Sequence, residues 1–279
     1  GFGDWQHAAE DVDYVLDAGP LVIARLSRHA RPVNGMTPAD YRAGNEEVRR
    51  DLGARRAALI VAAGGSDELL VAEPRSFGGL GVEIEGDLCN AATLATFETM
   101  IALERGAVLR PPTGEQGRRV LWEIGAGAGE FTHAFKTLFP DTTCIVSDLP
   151  ELLLFSATRL IAAFPEAECA FYAGADQDAV PPGVDFAFVP LSATDRIRPD
   201  RIDLAVNTGS FERMPEAEVE RCVEHAHAQE CPYLYTRGSA EGSAAAFETF
   251  ERRYWPHPIE VLPSSEHRHL VGWWSRAPR

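Results

Sequence analysis

Val120-Leu121-Trp122-Glu123-Ile124-Gly125-Ala126-Gly127-Ala128-Gly129-Glu130 is the stretch whose reading decides the fold. An apolar strand carrying one acid runs into three glycines at alternate positions, and a helical pattern starts directly after them. Glycines at such a corner let the backbone turn sharply and come close to a ligand, and a helix N-terminus presents amides without intrahelical partners. A buried strand, a glycine turn and a helix in that order open a nucleotide-binding α/β domain.

Two details narrow the ligand. A dinucleotide site uses Gly-x-Gly-x-x-Gly, whereas here the third glycine comes one place early. An acid, Glu123, also stands two places before the first glycine. A pyrophosphate gives no reason for that carboxylate; the ammonium of S-adenosylmethionine does. The next strand, Thr142 to Ser147, ends at Asp148, 23 residues after Gly125. An acid at about that distance accepts hydrogen bonds from ribose hydroxyls. The expected cofactor contacts are Glu123, Gly125, Ala126, Gly127, Gly129, Asp148, Leu149 and, from a later strand end, Asn207. Glu123 could instead only fix the turn, and Asp148 could be an N-cap before Pro150-Glu151. The apolar run Phe188-Val189-Pro190-Leu191 reads equally as an adenine wall or as core.

Outward from this loop the chain has two rhythms. From Arg119 onward, short apolar strands alternate with helices: Val120 to Ile124, Cys144 to Ser147, Val184 to Val189, Ile202 to Asn207 and Tyr233 to Thr236, with a closing hairpin from Ile259 to Leu262 and His269 to Trp274. That alternation predicts an α/β fold, a Rossmann-like, doubly wound, seven-stranded sheet with its last strand antiparallel. Residues 1–115 read as a mainly helical N-terminal cap or substrate region, and 116–279 as the cofactor-binding catalytic domain. In the first part, Thr37-Pro38 looks like a helix start, and Glu46 to Ala63 and Ala91 to Glu104 carry helical periodicity. Pro111-Pro112-Thr113-Gly114 reads as the linker.

Composition sets the outer bounds. A formal charge of −16 argues against nucleic acid or an anionic membrane as partner. No apolar run approaches the ~20 residues of a membrane helix. The five cysteines form no Cys-x-x-Cys pair and are odd in number, which points to reduced thiols. The first residues carry no signal-peptide pattern, so the expected location is cytoplasmic. The helices of the first part can pack on their own core or swap onto a second copy, which leaves a homodimer open.

Three segments together resemble one family. Trp122 to Ala128, Ser147-Asp148-Leu149-Pro150-Glu151 and Asn207-Thr208-Gly209-Ser210-Phe211-Glu212-Arg213-Met214-Pro215 are similar to the sugar O-methyltransferases of bacterial polysaccharide and natural-product clusters, within the class I S-adenosylmethionine-dependent methyltransferases. Phe77-Gly78-Gly79 with Asn90 and Thr93 also resembles that family's pre-core region, so the likeness spans roughly residues 75–240. Thr208-Gly209 is an insertion relative to the family pattern. The resemblance implies an O-methyltransferase acting on a small molecule that contains a sugar, with Phe77, Ser210 and Phe211 as candidate substrate contacts. In-line methyl transfer needs both reactants positioned and a base for the hydroxyl proton. Glu212, just beyond a core strand, is the first candidate, followed by His267 and His269 in the closing hairpin; alternatively Glu212 supports a helix start and the histidines lie on an exposed turn.

Asp176-Gln177-Asp178 and Asp195 read as solvated loop residues, and no metal is expected. His133 is expected on a helix surface, and His225 and His227, two apart, on different helix faces. The competing functions are methylation of a phenolic or polyketide hydroxyl, an NAD-dependent oxidoreductase, and a scaffold that keeps a vestigial fold.

Overall fold

Strands that read as continuous Val, Ile, Leu and Phe, without alternation, must be covered on both faces, and the sheet built from them is. The computed structural model describes residues 10–15, 17, 19–42, 45–109, 117–174, 178–239, 244–263, 265 and 267–274. A small hairpin comes first, β1 (Val82–Ile84) and β2 (Asp87–Cys89). The main sheet holds β3 (Arg119–Ile124), β4 (Thr142–Asp148), β5 (Cys169–Phe171), β6 (Phe186–Pro190), β7 (Leu204–Asn207), β8 (Tyr233–Ser239), β9 (Tyr254–Ile259) and β10 (His267–Trp274). Their spatial order is β5-β6-β4-β3-β7-β8-β10-β9. All pairings are parallel except those of β10, which runs antiparallel between β8 and β9.

The fold is therefore α/β, doubly wound and Rossmann-like, with the reversed last strand that the sequence led us to expect. It has eight strands in place of seven. The addition is β5, a three-residue edge strand too short to show a pattern. The closing hairpin also starts earlier, because β9 is Tyr254–Ile259 and carries Pro256 and Pro258. Prolines argue against a central strand but are tolerated on an edge, where the missing N–H faces outward.

Six longer helices flank the sheet: α1 (Glu46–Ala62), α2 (Ala91–Arg105), α3 (Glu130–Leu138), α4 (Pro150–Ala163), α5 (Glu216–Ala228) and α6 (Ala244–Arg253). Alternation along β3 shows how the two faces are filled. Leu121 packs with Phe97, Ile101, Phe131, Phe135 and Leu160 from α2, α3 and α4. Trp122 and Ile124 pack on the other face with Val219, Cys222 and Val223 of α5 and Phe250 of α6. Since α2 shares a core with the sheet, the expected division near residue 115 does not separate two cores; the linker residues Pro111 to Gly114 lie outside the described residues.

The first part is less purely helical than its pattern suggested. β1 and β2 close through Glu85 and Gly86, both with positive φ (54° and 97°), as a two-residue hairpin turn requires. Thr37-Pro38 opens a turn and no helix: Asp40 accepts both the N–H and the hydroxyl of Thr37 (2.8 and 2.7 Å). The N-cap of α1 is Asn45, whose side chain accepts from Val48 N. A third small core forms where Val12, Val15, Leu26 and Ala30 sit on Ala128, Leu152 and Phe155, so the chain start covers the helices that follow the glycine loop. The chain's one lysine, Lys136, is buried and donates to Pro140 O, Thr142 O and Asp185 (2.7, 2.6 and 2.7 Å).

Candidate functional site

The sheet order itself places a site. From β3 the chain proceeds to β4 on one side, and from β7 to β8 on the other, so β3 and β7 flank the switch point at which an α/β sheet opens a crevice beyond its strand ends. Residues after those two strands, among them Gly125, Gly127, Phe131, Ser210, Glu212 and Arg213, line a cavity of about 500 Å³. Its other walls come from α1 and α2 (Arg55, Ala91, Thr96), the chain start (Asn34, Gly35) and the last strands (Arg237, His267).

The glycine loop is fixed by its neighbours. Gly125 N and Ala126 N donate to Ser147 O (2.7 and 3.1 Å), Gly127 N to Asp148 Oδ2 (2.6 Å) and Gly129 N to Ala126 O (2.8 Å). Gly125 has φ +74°, and a Cβ there would collide with the Ser210 side chain and lie 3.0 Å from Met214 Cε. Four amides that the sequence offers to a ligand are thus committed within the protein.

Glu123 is the exceptional group on this wall. It is 1% exposed. Its Oε2 accepts from Thr132 N at 3.2 Å and from the Thr132 hydroxyl, while Oε1, equally buried, has no hydrogen-bond partner among the described residues. Burial pushes its carboxyl up to about 8 against the Thr132 hydrogen bonds, and the charge of Glu130 adds to the rise. Near neutral pH the group is held protonated until a cation meets it.

Asp148 stands at the expected strand end but behind the loop, away from the cavity wall. It is 2% exposed, its Oδ1 accepting from Leu149 N (2.7 Å) and its Oδ2 from Gly127 N. Burial raises its pKa to about 6 against those two hydrogen bonds. The N-cap of α4 is Leu149, a residue that packs with the core. Phe188, Val189 and Leu191 are buried in the two main clusters.

The segment after β7 divides between wall and scaffold. Glu212 and Ser210 line the cavity, whereas Asn207 and Phe211 do not. Asn207 is fully buried; its amide donates to Ile124 O (2.8 Å) and to Ser210 Oγ, and its Oδ1 accepts from Gly209 N and Phe211 N (3.1 and 3.2 Å). It ties β3 to β7 and leaves little to offer a ligand. Phe211 belongs to the core of the second face. Ser210 Oγ donates to Ile124 O (3.1 Å), so it braces the loop even as it faces the cavity. Phe77 lies in the short turn Ser76–Gly78, and its side chain is outside the described part of the structure.

The two hairpin histidines separate. His267 is on the cavity wall, half-buried, with its pKa held down to about 4 by burial and by the Arg237 charge. His269 is 3% exposed and behind the wall, its ring bonded to the Tyr235 hydroxyl (2.7 Å) and Glu98 Oε1 (3.2 Å). Glu98 also receives Arg55 Nη2 at 2.8 Å. Burial would raise the Glu98 carboxyl, but bonds from His269, Ser265 and Arg55 outweigh it and bring it to about 2. Arg55, Glu98 and Arg237 were not singled out in the sequence, since α1 and α2 show only helix periodicity there.

The remaining polar candidates fall elsewhere. His133 is 9% exposed against Phe164 rather than on a surface, with its pKa lowered to about 4 by burial and by Arg159. His225 bonds Ile197 O (2.7 Å), and His227 stacks on Trp274. Asp195 is exposed, Asp176 and Gln177 lie outside the described residues, and among the described residues no group of three or more His, Cys, Asp or Glu is arranged to hold a metal. No helix of the described residues is long and apolar enough to cross a membrane.

No protein-family model matches the chain, and no curated protein matches it. Solved structures do. The chain is similar to a precorrin-6y C5,15-methyltransferase from Geobacter metallireducens, at 15% identity over 63% of this chain and 88% of that one, with a TM-score of 0.43. It is also similar to the magnesium protoporphyrin IX methyltransferase of Synechocystis (9%, 67% and 85%, 0.44) and to human N-acetylserotonin methyltransferase (10%, 66% and 56%, 0.38). Such distant likeness adds nothing to what the strand order and the cavity themselves establish.

Proposed function

We propose that this chain is an S-adenosylmethionine-dependent O-methyltransferase. The observation that carries the reading is Glu123: a buried carboxylate oxygen without a partner, on a cavity wall beside a glycine turn at the sheet's switch point. A buried carboxyl in such a place stays neutral until a cation arrives to pair with it, and the ammonium of the methionine moiety is one. A dinucleotide brings phosphates to the same turn, where Glu123 would repel them. When bound, S-adenosylmethionine supplies an activated methyl group. Glu123 would hold its ammonium, and Asp148, behind the loop, would keep the glycine turn in shape through its bond from Gly127 N.

His267 is our choice for the base. It lines the cavity, and burial with the Arg237 charge keeps its ring neutral near pH 7, so that a ring nitrogen can accept the proton of an acceptor hydroxyl, as a weaker base than a free imidazole. Glu212 shares the wall and would orient the acceptor. His269, buried between Tyr235 and Glu98, has no route to a substrate. A sugar, or a natural product that carries one, is the acceptor this cavity suits, because the described residues of its walls include three Arg, three Glu and two Thr against Phe131 as their one Phe, Tyr or Trp. A phenolic or polyketide hydroxyl would call for an aromatic slot.

Calorimetric titration tests the reading. S-Adenosylhomocysteine should bind the wild type, and Asp148→Ala should weaken it by about tenfold or more. NAD should not bind; tight NAD binding, or none of S-adenosylhomocysteine, would overturn the proposal. In single-turnover methylation, His267→Ala should slow the chemical step by ~10²–10⁴-fold at unchanged S-adenosylhomocysteine affinity. A rate near wild type would remove His267 as the base.

A further inference from the structure

The wall opposite the glycine loop has a charge pattern that the methyl-donor reading does not use. Arg237, on β8, is half-buried and lines the cavity. Its Nη1 donates to Ala95 O (2.9 Å) and Thr99 Oγ1 (3.2 Å), and its Nη2 to Thr208 O (2.7 Å). All three acceptors are neutral, and among the described residues Arg237 makes no salt bridge. A guanidinium has five N–H donors, so two remain after these bonds. Glu98 and Glu123 act on this charge only from a distance, and the three bonds to neutral oxygens fix its orientation.

A second arginine stands on the same wall. Arg55, on α1, is held by Glu98, which is itself buried and bonded to His269. Glu98 takes one Nη2 hydrogen of Arg55 and so fixes a side chain that lines the cavity with donors to spare. Meanwhile the amides of Gly125, Ala126, Gly127 and Gly129, the alternative donors for an anionic group, are already taken by Ser147, Asp148 and Ala126. The cavity has one wall with a carboxylate oxygen that has no hydrogen-bond partner among the described residues and another with a half-buried guanidinium in no direct ion pair among them.

We propose that Arg237 and Arg55 form a carboxylate-binding site on the wall facing Glu123. A planar fork pre-set by neutral partners matches a carboxylate in a way that a point charge does not. Two sources can bring that group: the methionine tail of the donor, or an acidic group on the acceptor, such as the carboxylate of a uronic sugar. The first deepens the methyl-donor reading and rests on it; the second sets the substrate class.

The test has two arms, each read by calorimetry. In one, S-adenosylhomocysteine and its methyl ester are titrated into wild type, Arg237→Met and Arg55→Met. In the other, glucuronate and glucose are titrated into wild type and Arg237→Met that carry S-adenosylhomocysteine. If the donor tail is the ligand, the ester binds wild type about tenfold or more weakly than the acid, and that gap closes in Arg237→Met. If the acceptor is the source, acid and ester bind alike, glucuronate binds the loaded wild type, and Arg237→Met loses that binding by a similar factor while glucose binds neither.

The proposal is overturned if wild type prefers the carboxylate in neither pair, a result that needs no variant. It is equally overturned if the preference persists unchanged in both arginine variants. Thermal unfolding of each variant, with Arg237→Lys as the form that keeps charge but loses the fork, separates lost binding from lost folding. Should S-adenosylhomocysteine fail to bind wild type at all, the methyl-donor reading falls, and glucuronate against glucose on the protein alone still decides the arginine site.

Discussion

Glu123→Gln is expected to leave the protein folded and to weaken S-adenosylhomocysteine by roughly 10- to 100-fold, the worth of a hydrogen bond to a charged group. The substitution is nearly isosteric with the protonated acid that burial enforces, so the thermal midpoint should barely move near pH 4.5 and should lie above that of wild type near pH 7, where folding must return a proton to Glu123. pH supplies a sharper signature. The folded pKa, about 8, lies above the ordinary carboxyl value of 4.5. The native state then binds more protons than the unfolded state between those limits, so this group's contribution is full below the ordinary value and is lost as pH rises through 8. Wild type should lose stability over that window relative to Glu123→Gln. Ligand binding should show the mirror image. Pairing with an ammonium requires Glu123 to ionise, so binding should release close to one proton and tighten as pH rises between about 6 and 7.5. Titration in two buffers of different ionisation heat measures that proton. A proton count near zero, or an equal count in Glu123→Gln, would show that Glu123 does not meet the cation.

Gly125→Val should be the most damaging single change in the loop. Two costs add there. The backbone sits at φ +74°, and a β-branched side chain would point into Ser210 and Met214. Left-handed strain in a branched residue and overpacking each amount to ~1–3 kcal/mol. The expected loss in unfolding free energy is about 2–6 kcal/mol, read from denaturant midpoints, together with loss of measurable S-adenosylhomocysteine binding. Gly125→Ala with Ser210→Gly separates strain from collision: the pair should recover part of the stability that Gly125→Ala alone loses. Equal stability of the single and double variants would mean that contact with Ser210 does not matter.

The loop and its surroundings were legible in the sequence because glycines and acids at strand ends are punctuation, visible without tertiary knowledge. Strands β3, β4 and β7 announced themselves by uninterrupted apolar runs. What stayed hidden was hidden for physical reasons. Pro256 and Pro258 mask β9 because only an edge position makes them acceptable, and edge position is a tertiary property. Asn207 carries a binder's side chain, but its hydrogen bonds turn inward, and no spacing reveals direction. His267 and His269 point to the same side of one strand, yet neighbouring helices leave one at the cavity and seal the other behind it. Arg55 and Arg237 lie 182 residues apart, and only folding brings them to one wall.

The prolines of β9 have a consequence for how copies of this chain can meet. A strand exposes a row of alternating donors and acceptors on its free side, and another strand docks by matching both. Pro256 and Pro258 remove donors from the outward side of β9, leaving carbonyls that a second backbone cannot pair in register. At the opposite margin β5 has three residues, too few to seat a partner strand. Both margins of the main sheet thus resist strand-by-strand growth from one copy to the next.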